Sequence, residues 1–260
     1  MAEPFKNWID AALVEATATH LQRAWRGFPR EAFVQQATRG LGKLELKQRV
    51  QQVASALAAT LPADFARACD VVEATLAPPQ PDFAMATLQS GEAGLAGWIV
   101  WPLTEFVALR GLAQPERALR CLHALTQRLT AEFAIRPFLV AHEALVLRTL
   151  HAWCDDPSMH VRRLVSEGSR PRLPWGIRLQ SFVRDPSPTL PLLERLQDDA
   201  SEYVRRSVAN HLNDIAKDHP AVVADWLRRH LPGAPPERVA LLTHASRTLV
   251  KKGDRAVLAA

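Results

Sequence analysis

The sequence predicts an all-α protein assembled from stacked helical repeats. Apolar residues recur at helical spacing along the whole 260-residue chain, and no alternating stretch is long enough to be a convincing strand. A block of residues also recurs after 43 positions. Repeats of about 40 to 47 residues, made of paired antiparallel helices, are typical of the HEAT and armadillo solenoids. We therefore expect one repeat domain over residues 1–260, with N-terminal helices in 1–80 and the repeats in 81–260.

The repeat is visible when "DDPSMHVRRLVSEG" (155–168) is placed above "DDASEYVRRSVANH" (198–211). The Asp-Asp-x-Ser openings predict helix N-caps, and Val-Arg-Arg falls in the first turns of the second helix of each repeat. For Arg162 and Arg205 this position favours structural ion pairs between repeats over contacts with a ligand. Weaker copies at 133–153 and 238–254 predict flanking repeats.

The helix predicted in "SEYVRRSVANHLNDIAKDHP" (201–220) carries two different faces. Its apolar residues are spaced to form one buried side: Val204, Val208, Leu212 and Ile215. Its polar residues align on another side: Arg206, Asn210, Asn213, Asp214 and Lys217. A solvated face is the usual interpretation of such a pattern. Superposing the two repeats, however, brings Glu167 and Asp214 to one surface on neighbouring helices, flanked by arginines, and carboxylates in a basic groove indicate a functional site.

Charge and composition limit the classes of function. The formal net charge is +5, and residues 221–260 hold seven Lys/Arg against three Asp/Glu, so a polyanionic partner is permitted. The three cysteines form no CxxC pair, which argues against a disulfide framework or a zinc site and favours a reducing cytoplasm. No apolar run reaches the roughly 20 residues needed to span a bilayer, and the acidic N-terminus is unlike a signal peptide. The nine histidines form no ligand cluster, so we expect no metal and no cofactor.

Three ordered segments closely resemble the AlkC branch of the AlkC/AlkD superfamily of alkylpurine DNA glycosylases: "VRRLVSEGSRPRLPWG" (161–176), "LLERLQDDASEYVRRSVANHLNDIAKDHP" (192–220) and "RTLVKKGD" (247–254). The N-terminal half is similar more loosely, through residues 44–68 and 129–139. The resemblance implies a HEAT-like α-solenoid with a concave DNA-binding groove. It also implies a monofunctional glycosylase that hydrolyses the N-glycosidic bond of cationic N-alkylated bases, of the 3-methyladenine type, as the first step of base excision repair. Many members carry an immunoglobulin-like domain after the solenoid, and because the sequence stops at Ala260 we expect a short form without it.

The resemblance also assigns site residues. It implies a catalytic role for Asp214, Glu132 and Glu167, and a lesion contact for Trp175, for which a core tryptophan under a loop is the alternative. The candidates for DNA-phosphate contacts are Arg163, Arg170, Arg172, Arg206, Lys217, Arg247, Lys251 and Lys252. The expected partner is duplex DNA containing alkylated bases, bound by a cytoplasmic monomer with no membrane association. The preferred lesion stays open among 3-methyladenine, 3-methylcytosine and 7-methylguanine. The alternative function is a non-catalytic HEAT-repeat module that binds nucleic acid or protein.

Overall fold

The structure is a computed structural model that describes residues 4–79 and 88–254. These residues form fourteen α-helices and no strand, with only two isolated β-bridges, so the all-α helical-repeat prediction is confirmed. The helices are α1 (Ala11–Ala24), α2 (Arg30–Thr38), α3 (Leu46–Thr60), α4 (Phe65–Ala74), α5 (Val100–Arg110), α6 (Pro115–Thr126), α7 (Arg136–Ala141), α8 (Glu143–Trp153), α9 (Met159–Gly168), α10 (Gln180–Arg184), α11 (Leu190–Leu196), α12 (Glu202–Ile215), α13 (Pro220–His230) and α14 (Pro236–Lys251). Short 3-10 turns lie at Phe5–Trp8, Leu41–Lys43, Gly97–Ile99 and Ser187–Thr189.

The chain divides into two compact units, Met1–Phe138 and Leu139–Ala260. The boundary predicted between residues 80 and 81 lies outside the described residues. A single domain over the whole chain therefore stays a prediction. None of the described helices is long and apolar enough to cross a membrane.

The first unit is held together by apolar helix packing and by one buried arginine. Helix α3 packs against α2 and α5, and α4 packs against α1 and α6. Arg49 of α3 is buried, and its guanidinium donates to the carbonyl oxygens of Lys6, Ile9 and Leu44. Ile9 and Leu44 each directly follow a 3-10 turn, so the arginine satisfies acceptors outside the α-helices.

The second unit shows the stacking that the repeat predicts. The second helices of consecutive repeats pack against each other, α9 on α12 and α12 on α14. The first helices α8, α11 and α13 pack against α9, α12 and α14 respectively. The apolar side of α12 faces this interior, since Val204, Val208, Leu212 and Ile215 are all buried. Each repeat thus buries its apolar surface against its neighbours, as expected for a solenoid.

The helix starts confirm the position of the predicted caps and correct their chemistry. Ser158 and Ser201 are the N-cap residues of α9 and α12, with nearly identical extended backbone angles, but neither hydroxyl caps its helix. Instead, Asp156 and Asp199 accept the N–H groups of these serines, each at 2.8 Å. The aspartate side chain at the same position of both repeats therefore stabilises the turn before the helix and does not bind the first helical N–H groups. This use of aspartate is typical of Asx-turns.

Ion pairs repeat with the same period of 43 residues. Arg195 binds Asp155, and Arg238 binds Asp198 at the equivalent place in the next repeat. Arg162 donates to both carboxylate oxygens of Asp199, at 2.6 and 3.0 Å, and so joins two repeats. The structural role predicted for Arg162 is confirmed.

Arg205 occupies the position equivalent to Arg162 one repeat later. Its guanidinium donates to the carbonyl oxygens of Asp199 and Ala200, at 2.5 and 2.9 Å. These acceptors lie in the turn that leads into the same helix. The role of Arg205 is therefore structural, as predicted, but the predicted ion pair between repeats is wrong.

Candidate active site

The centre of the polar side of α12 is buried rather than solvated. Ser207, His211, Asn213 and Asp214 are all buried, because α9 packs on one side of α12 and α14 on the other. Asn213 accepts a hydrogen bond from the backbone N–H of Thr248 in α14, at 3.3 Å. At the edges of this face, Arg206 and Lys217 are exposed and Asn210 is half-buried. Solvation therefore does not explain the polar residues at the centre of the face.

A buried arginine joins the two predicted carboxylates. Arg170, just after the end of α9, donates from Nε to Oδ2 of Asp214 at 2.8 Å and from Nη1 to Oε1 of Glu167 at 2.5 Å. Asp214 is 1% exposed, and its Oδ1 accepts from Nζ of Lys217 at 2.7 Å. Glu167 accepts a further hydrogen bond from the hydroxyl of Ser207 in α12, at 2.6 Å. Glu167, Arg170 and Asp214 thus form one cluster between α9 and α12, which we call the carboxylate cluster.

Both carboxylates of this cluster have cationic partners, and those of Glu167 favour its charged form. Burial raises the pKa of Glu167, but Arg163 and Arg170, with the hydroxyl of Ser207, outweigh it and hold this pKa below its ordinary value. Burial lowers the pKa of Arg170, while Glu167 and Asp214 raise it above its ordinary value by a larger amount. The cluster is therefore a fixed arrangement of charges in a partly dehydrated place, where electrostatic effects are stronger than in water.

Two of the arginines predicted to contact phosphate belong to this arrangement. Arg170 is only 7% exposed and is engaged by two carboxylates, which does not favour a phosphate contact. Arg163 lies 3.6 Å from Oε2 of Glu167, and its guanidinium lies 4.9 Å from the ring centroid of Tyr203. The sequence places the basic residue Arg170 just after α9, close to Glu167. It does not predict that this side chain points into the protein interior.

The other predicted phosphate contacts lie nearer the surface. Arg172 forms a two-pronged ion pair with Asp218, at 2.6 and 2.7 Å, and is partly exposed. Arg247 in α14 donates to the carbonyl oxygen of His244 and to Oδ1 of Asn210. Lys251 and Lys252, at the end of α14, are exposed.

Trp175 lies on the surface in an unusual backbone conformation. Its side chain is 69% exposed, so the alternative of a core tryptophan is wrong. Its φ is 65°, which makes it the one non-glycine residue with positive φ in the described chain. This left-handed conformation costs about 1–2 kcal/mol for a residue with a Cβ atom. Such strain is most often retained where a site needs the side chain in a particular place.

The loop that carries Trp175 is anchored at both ends. Leu173 and Leu179 on either side are buried, and the N–H of Leu179 donates to the carbonyl oxygen of Pro171 at 3.2 Å. The loop begins directly after Arg170 of the carboxylate cluster. A short anchored loop thus presents an exposed indole close in the chain to the buried charges.

Glu132 lies in the first unit, in the segment between α6 and α7. It is half-buried, and its Oε2 accepts from the hydroxyl of Thr130 at 2.8 Å. This hydrogen bond holds the side chain at the start of the short segment that leads into α7.

Sequence reasoning missed His211, which lies on the buried polar side of α12. It is fully buried, and its Nδ1 lies 3.0 Å from the carbonyl oxygen of Ser166, the neighbour of Glu167. Burial, the largest effect, lowers the pKa of His211 to about 4, so the ring is neutral near pH 7. Since a carbonyl only accepts, Nδ1 carries the proton and binds α12 to the end of α9. The signal was the i, i+4 spacing from Ser207 and the i, i+3 spacing to Asp214.

In residues 4–79 and 88–254, no group of three or more His, Cys, Asp or Glu side chains is placed to hold a metal ion. All three cysteines are free and buried. The side chains brought together at the site are therefore carboxylates, arginines, a lysine and a neutral histidine.

Comparison with known proteins gives three matches. Residues 129–241 match a family model described as DNA alkylation repair enzyme. The protein YhaZ of Bacillus subtilis (strain 168) is 39% identical over 259 residues, a match that covers 98% of this chain and 67% of that protein. Among solved structures, Pseudomonas fluorescens alkylpurine DNA glycosylase AlkC bound to DNA containing an abasic site analog is similar, with a TM-score of 0.85 and 33% identity, over 100% of this chain and 68% of that one. The matched family segment includes the whole carboxylate cluster and the Trp175 loop.

Proposed function

We propose that this chain, which belongs to the AlkC/AlkD superfamily of alkylpurine DNA glycosylases, hydrolyses the N-glycosidic bond of cationic N-alkylated bases, of the 3-methyladenine type, in duplex DNA. This reaction would be the first step of base excision repair. The observation that carries the proposal is the buried Glu167–Arg170–Asp214 cluster within the segment that matches the family.

The chemistry of the substrate fits this set of side chains. A purine alkylated at N3 is positively charged and leaves without being protonated, so no general acid is needed. Breaking its bond to deoxyribose places positive charge on the sugar, which ionised carboxylates stabilise. We assign Asp214 to this stabilisation and to placement of the attacking water, with Glu167 and Glu132 as supporting charges.

Arg170 acts as a positioning residue in this proposal. Its two hydrogen bonds hold Oδ2 of Asp214 and Oε1 of Glu167 at a fixed separation. A preorganised charge does not have to reorient during the reaction, which is the main source of electrostatic catalysis.

Lys217 binds the second carboxylate oxygen of Asp214, Oδ1. Its side chain is 41% exposed and bonded to Oδ1, so it can leave Asp214 by rotation about its flexible stem. We propose that a DNA phosphate takes over the ammonium group of Lys217 and leaves Oδ1 free to orient the water. Lys217 then serves both as a phosphate contact and as a gate on Asp214.

Trp175 would contact the lesion nucleotide, because its exposed ring can attract a cationic base or the charged sugar. The surface cations Arg172, Arg206, Arg247, Lys251 and Lys252, together with Arg163, would hold the phosphate backbone without reading the sequence. We further propose that the protein acts as a monomer on cytoplasmic, nucleoid DNA. The support is that one chain supplies the whole carboxylate cluster and that its three buried cysteines are free, as suits a reducing compartment.

The test is release of free methylated bases from methylated duplex DNA, with wild type compared with Asp214→Asn and the control Asp218→Asn. Asp218 also pairs with an arginine but lies outside the carboxylate cluster. We expect Asp214→Asn to be slower by about 10² to 10³ and Asp218→Asn to stay within a few-fold of wild type. A wild-type protein that binds DNA and releases no base above the spontaneous rate would leave the non-catalytic binding module as the function.

A further inference from the structure

A second charged cluster lies between α12 and α14, beside the carboxylate cluster, and contains cations without carboxylates. Oδ1 of Asn210 accepts hydrogen bonds from Nε2 of His244 at 2.9 Å and from Nη2 of Arg247 at 3.2 Å. Arg247 also donates to the carbonyl oxygen of His244 at 2.6 Å. Arg206, one turn before Asn210 on α12, is exposed. We call Arg206, Asn210, His244 and Arg247 the cation cluster.

Arg206 and Arg247 repel each other, and both oppose a positive charge on His244. Burial and then the charge of Arg206 lower the pKa of Arg247. Burial, followed by the charges of Arg247 and Arg206, lowers the pKa of His244 to about 4. Among the described residues, none of the three side chains forms an ion pair with a carboxylate. A cluster of this kind is destabilising by itself and is relieved by an anion.

Comparison of the two repeats shows why the cluster contains no carboxylate. Arg206 and Asn210 are the equivalents, 43 positions later, of Arg163 and Glu167. In the earlier repeat, the arginine pairs with the glutamate at i, i+4. In the later repeat a neutral amide replaces the glutamate, and its oxygen is occupied by His244 and Arg247. The exchange leaves Arg206 available to a ligand.

The cluster opens onto a cavity large enough for an anion. The cavity has a volume of about 330 Å³, and two members of the cluster, Arg206 and His244, line it together with apolar residues that include Ala209 and Leu241. The other charged groups that line it are Glu202, Arg205 and Glu237, and among the described residues neither glutamate forms an ion pair with Arg206, His244 or Arg247. The charges that act on His244 are therefore positive, from Arg206 on α12 and Arg247 on its own helix α14.

We propose that the cation cluster binds one phosphodiester of the DNA backbone and that His244 takes up a proton when it does so. Nε2 of His244 already donates to Asn210, so the added proton goes to Nδ1 and makes the ring a cation. The phosphate supplies the negative charge that the glutamate supplies in the preceding repeat. Arg206 then binds the same phosphate, and Arg247, which is hydrogen-bonded to His244 and Asn210, adds its positive charge next to the carboxylate cluster, since the charge of Asp214 also acts on Arg247. This inference rests on the proposed action on DNA and adds a proton-linked phosphate site to it.

The sign of the pH effect follows from linkage. Without DNA, the ring is neutral near pH 7, and a bound phosphate raises the pKa of His244. DNA binding therefore strengthens as the pH falls below the pKa that His244 has in the DNA complex. The effect ends near pH 4, where His244 of the free protein also becomes protonated. Each added cation that neutralises a phosphate also increases the salt slope by about 0.9.

The first experiment measures the dissociation constant of a short duplex with an abasic-site analogue, over a range of salt, at about pH 5.5 and about pH 7.5. For wild type we expect about fivefold to tenfold tighter binding at the lower pH and a salt slope steeper by about 0.9. His244→Gln, which keeps a donor to Asn210, should change by less than about twofold. The control His151→Gln, on α8 and outside the cluster, should behave like wild type. A His244→Gln variant with the wild-type pH response would overturn the inference.

A second variant tests the cluster if His244→Gln does not fold. Asn210→Glu introduces the residue of the preceding repeat, so Arg206 gains an internal carboxylate, and we expect DNA binding at least tenfold weaker with a thermal stability at or above that of wild type. Unchanged DNA affinity for a folded Asn210→Glu protein would also overturn the inference. Release of methylated bases is measured separately. If the wild-type protein releases methylated bases but its DNA affinity does not change with pH, only the phosphate site is refuted. If its DNA affinity changes with pH as expected but it releases no methylated base, only the glycosylase activity is refuted.

Discussion

Nε of Arg170 lies 2.8 Å from Oδ2 of Asp214, although 44 positions separate the two residues in the chain. The contact is between neighbouring repeats, and it is made inside the protein, where Asp214 is 1% exposed and Arg170 is 7% exposed. The same guanidinium reaches Glu167. Arg170 therefore determines where two negative charges lie. For this reason it is the first residue that we would substitute.

Replacing Arg170 with Met should leave two buried carboxylates without their shared partner. We expect the free energy of unfolding to fall by about 3–5 kcal/mol, which is the usual loss when one member of a buried ion pair is removed. Urea denaturation measures this loss. Arg170→Lys should recover part of the stability but little activity, because one ammonium group lacks the fork that reaches both carboxylates. Full activity in Arg170→Lys would show that the separation of Glu167 and Asp214 is not critical.

Replacing Trp175 with Gly should separate stability from activity. Glycine adopts a φ of 65° without steric cost, and the exposed indole contributes little burial, so we expect unfolding free energy to rise by about 1 kcal/mol. Activity on methylated duplex DNA should fall if the ring contacts the lesion. Ile177→Gly, on the same loop and 52% exposed, is the control for loop flexibility. Equal activity losses in both variants would assign the effect to the loop rather than to the indole.

His211 should make stability depend on pH between its unfolded and folded pKa values. Its folded pKa is lowered to about 4, so the unfolded chain binds the proton more readily between about pH 6.5 and pH 4. Stability is therefore fully present above pH 6.5 and is lost as the pH falls toward 4, by about 3 kcal/mol from this residue. Denaturation of wild type and His211→Asn across this range should show a shallower slope in the variant. Parallel slopes would mean that His211 is not the group responsible.

Arg162 and Asp199 offer a test of the structural ties between repeats. Their two hydrogen bonds are largely shielded from solvent, with side-chain exposures of 17% and 4%. A double-mutant cycle with Arg162→Met and Asp199→Asn should give a coupling energy of about 1–3 kcal/mol in unfolding experiments. Base release by the folded fraction should be unchanged in both variants. A specific loss of activity in Arg162→Met would indicate a DNA contact that the structural role does not explain.

The sequence predicted the apolar side of α12 and the meeting of Glu167 and Asp214 on neighbouring helices, since both follow from helical spacing and from the period of 43 residues. It did not predict how Arg170 takes part. Arg170 lies just after the end of α9, where side-chain direction depends on the chain reversal that follows and not on helical periodicity.

Trp175 and His211 were harder to interpret for different reasons. The exposure of Trp175 follows from a left-handed backbone angle, which the neighbouring Pro174 and Gly176 suggest only as a turn. His211 shares the buried side of its helix with apolar residues, and a lone histidine there looks like a core residue until its partner Ser166 is known. In both cases the deciding contact or angle belongs to the tertiary structure.

The equivalence of Glu167 and Asn210 has a consequence for how such a protein can change over evolutionary time. A duplicated structural module offers two copies of every position, so one copy can keep the ion pair that maintains the fold while the other accepts a substitution that would be harmful in a single copy. Arg163 with Glu167 shows one arrangement, and Arg206 with Asn210 shows the other. Internal duplication thus allows new binding chemistry to arise without a new fold. Related proteins that bind different ligands are expected to differ first at positions whose structural role is retained in the other repeat.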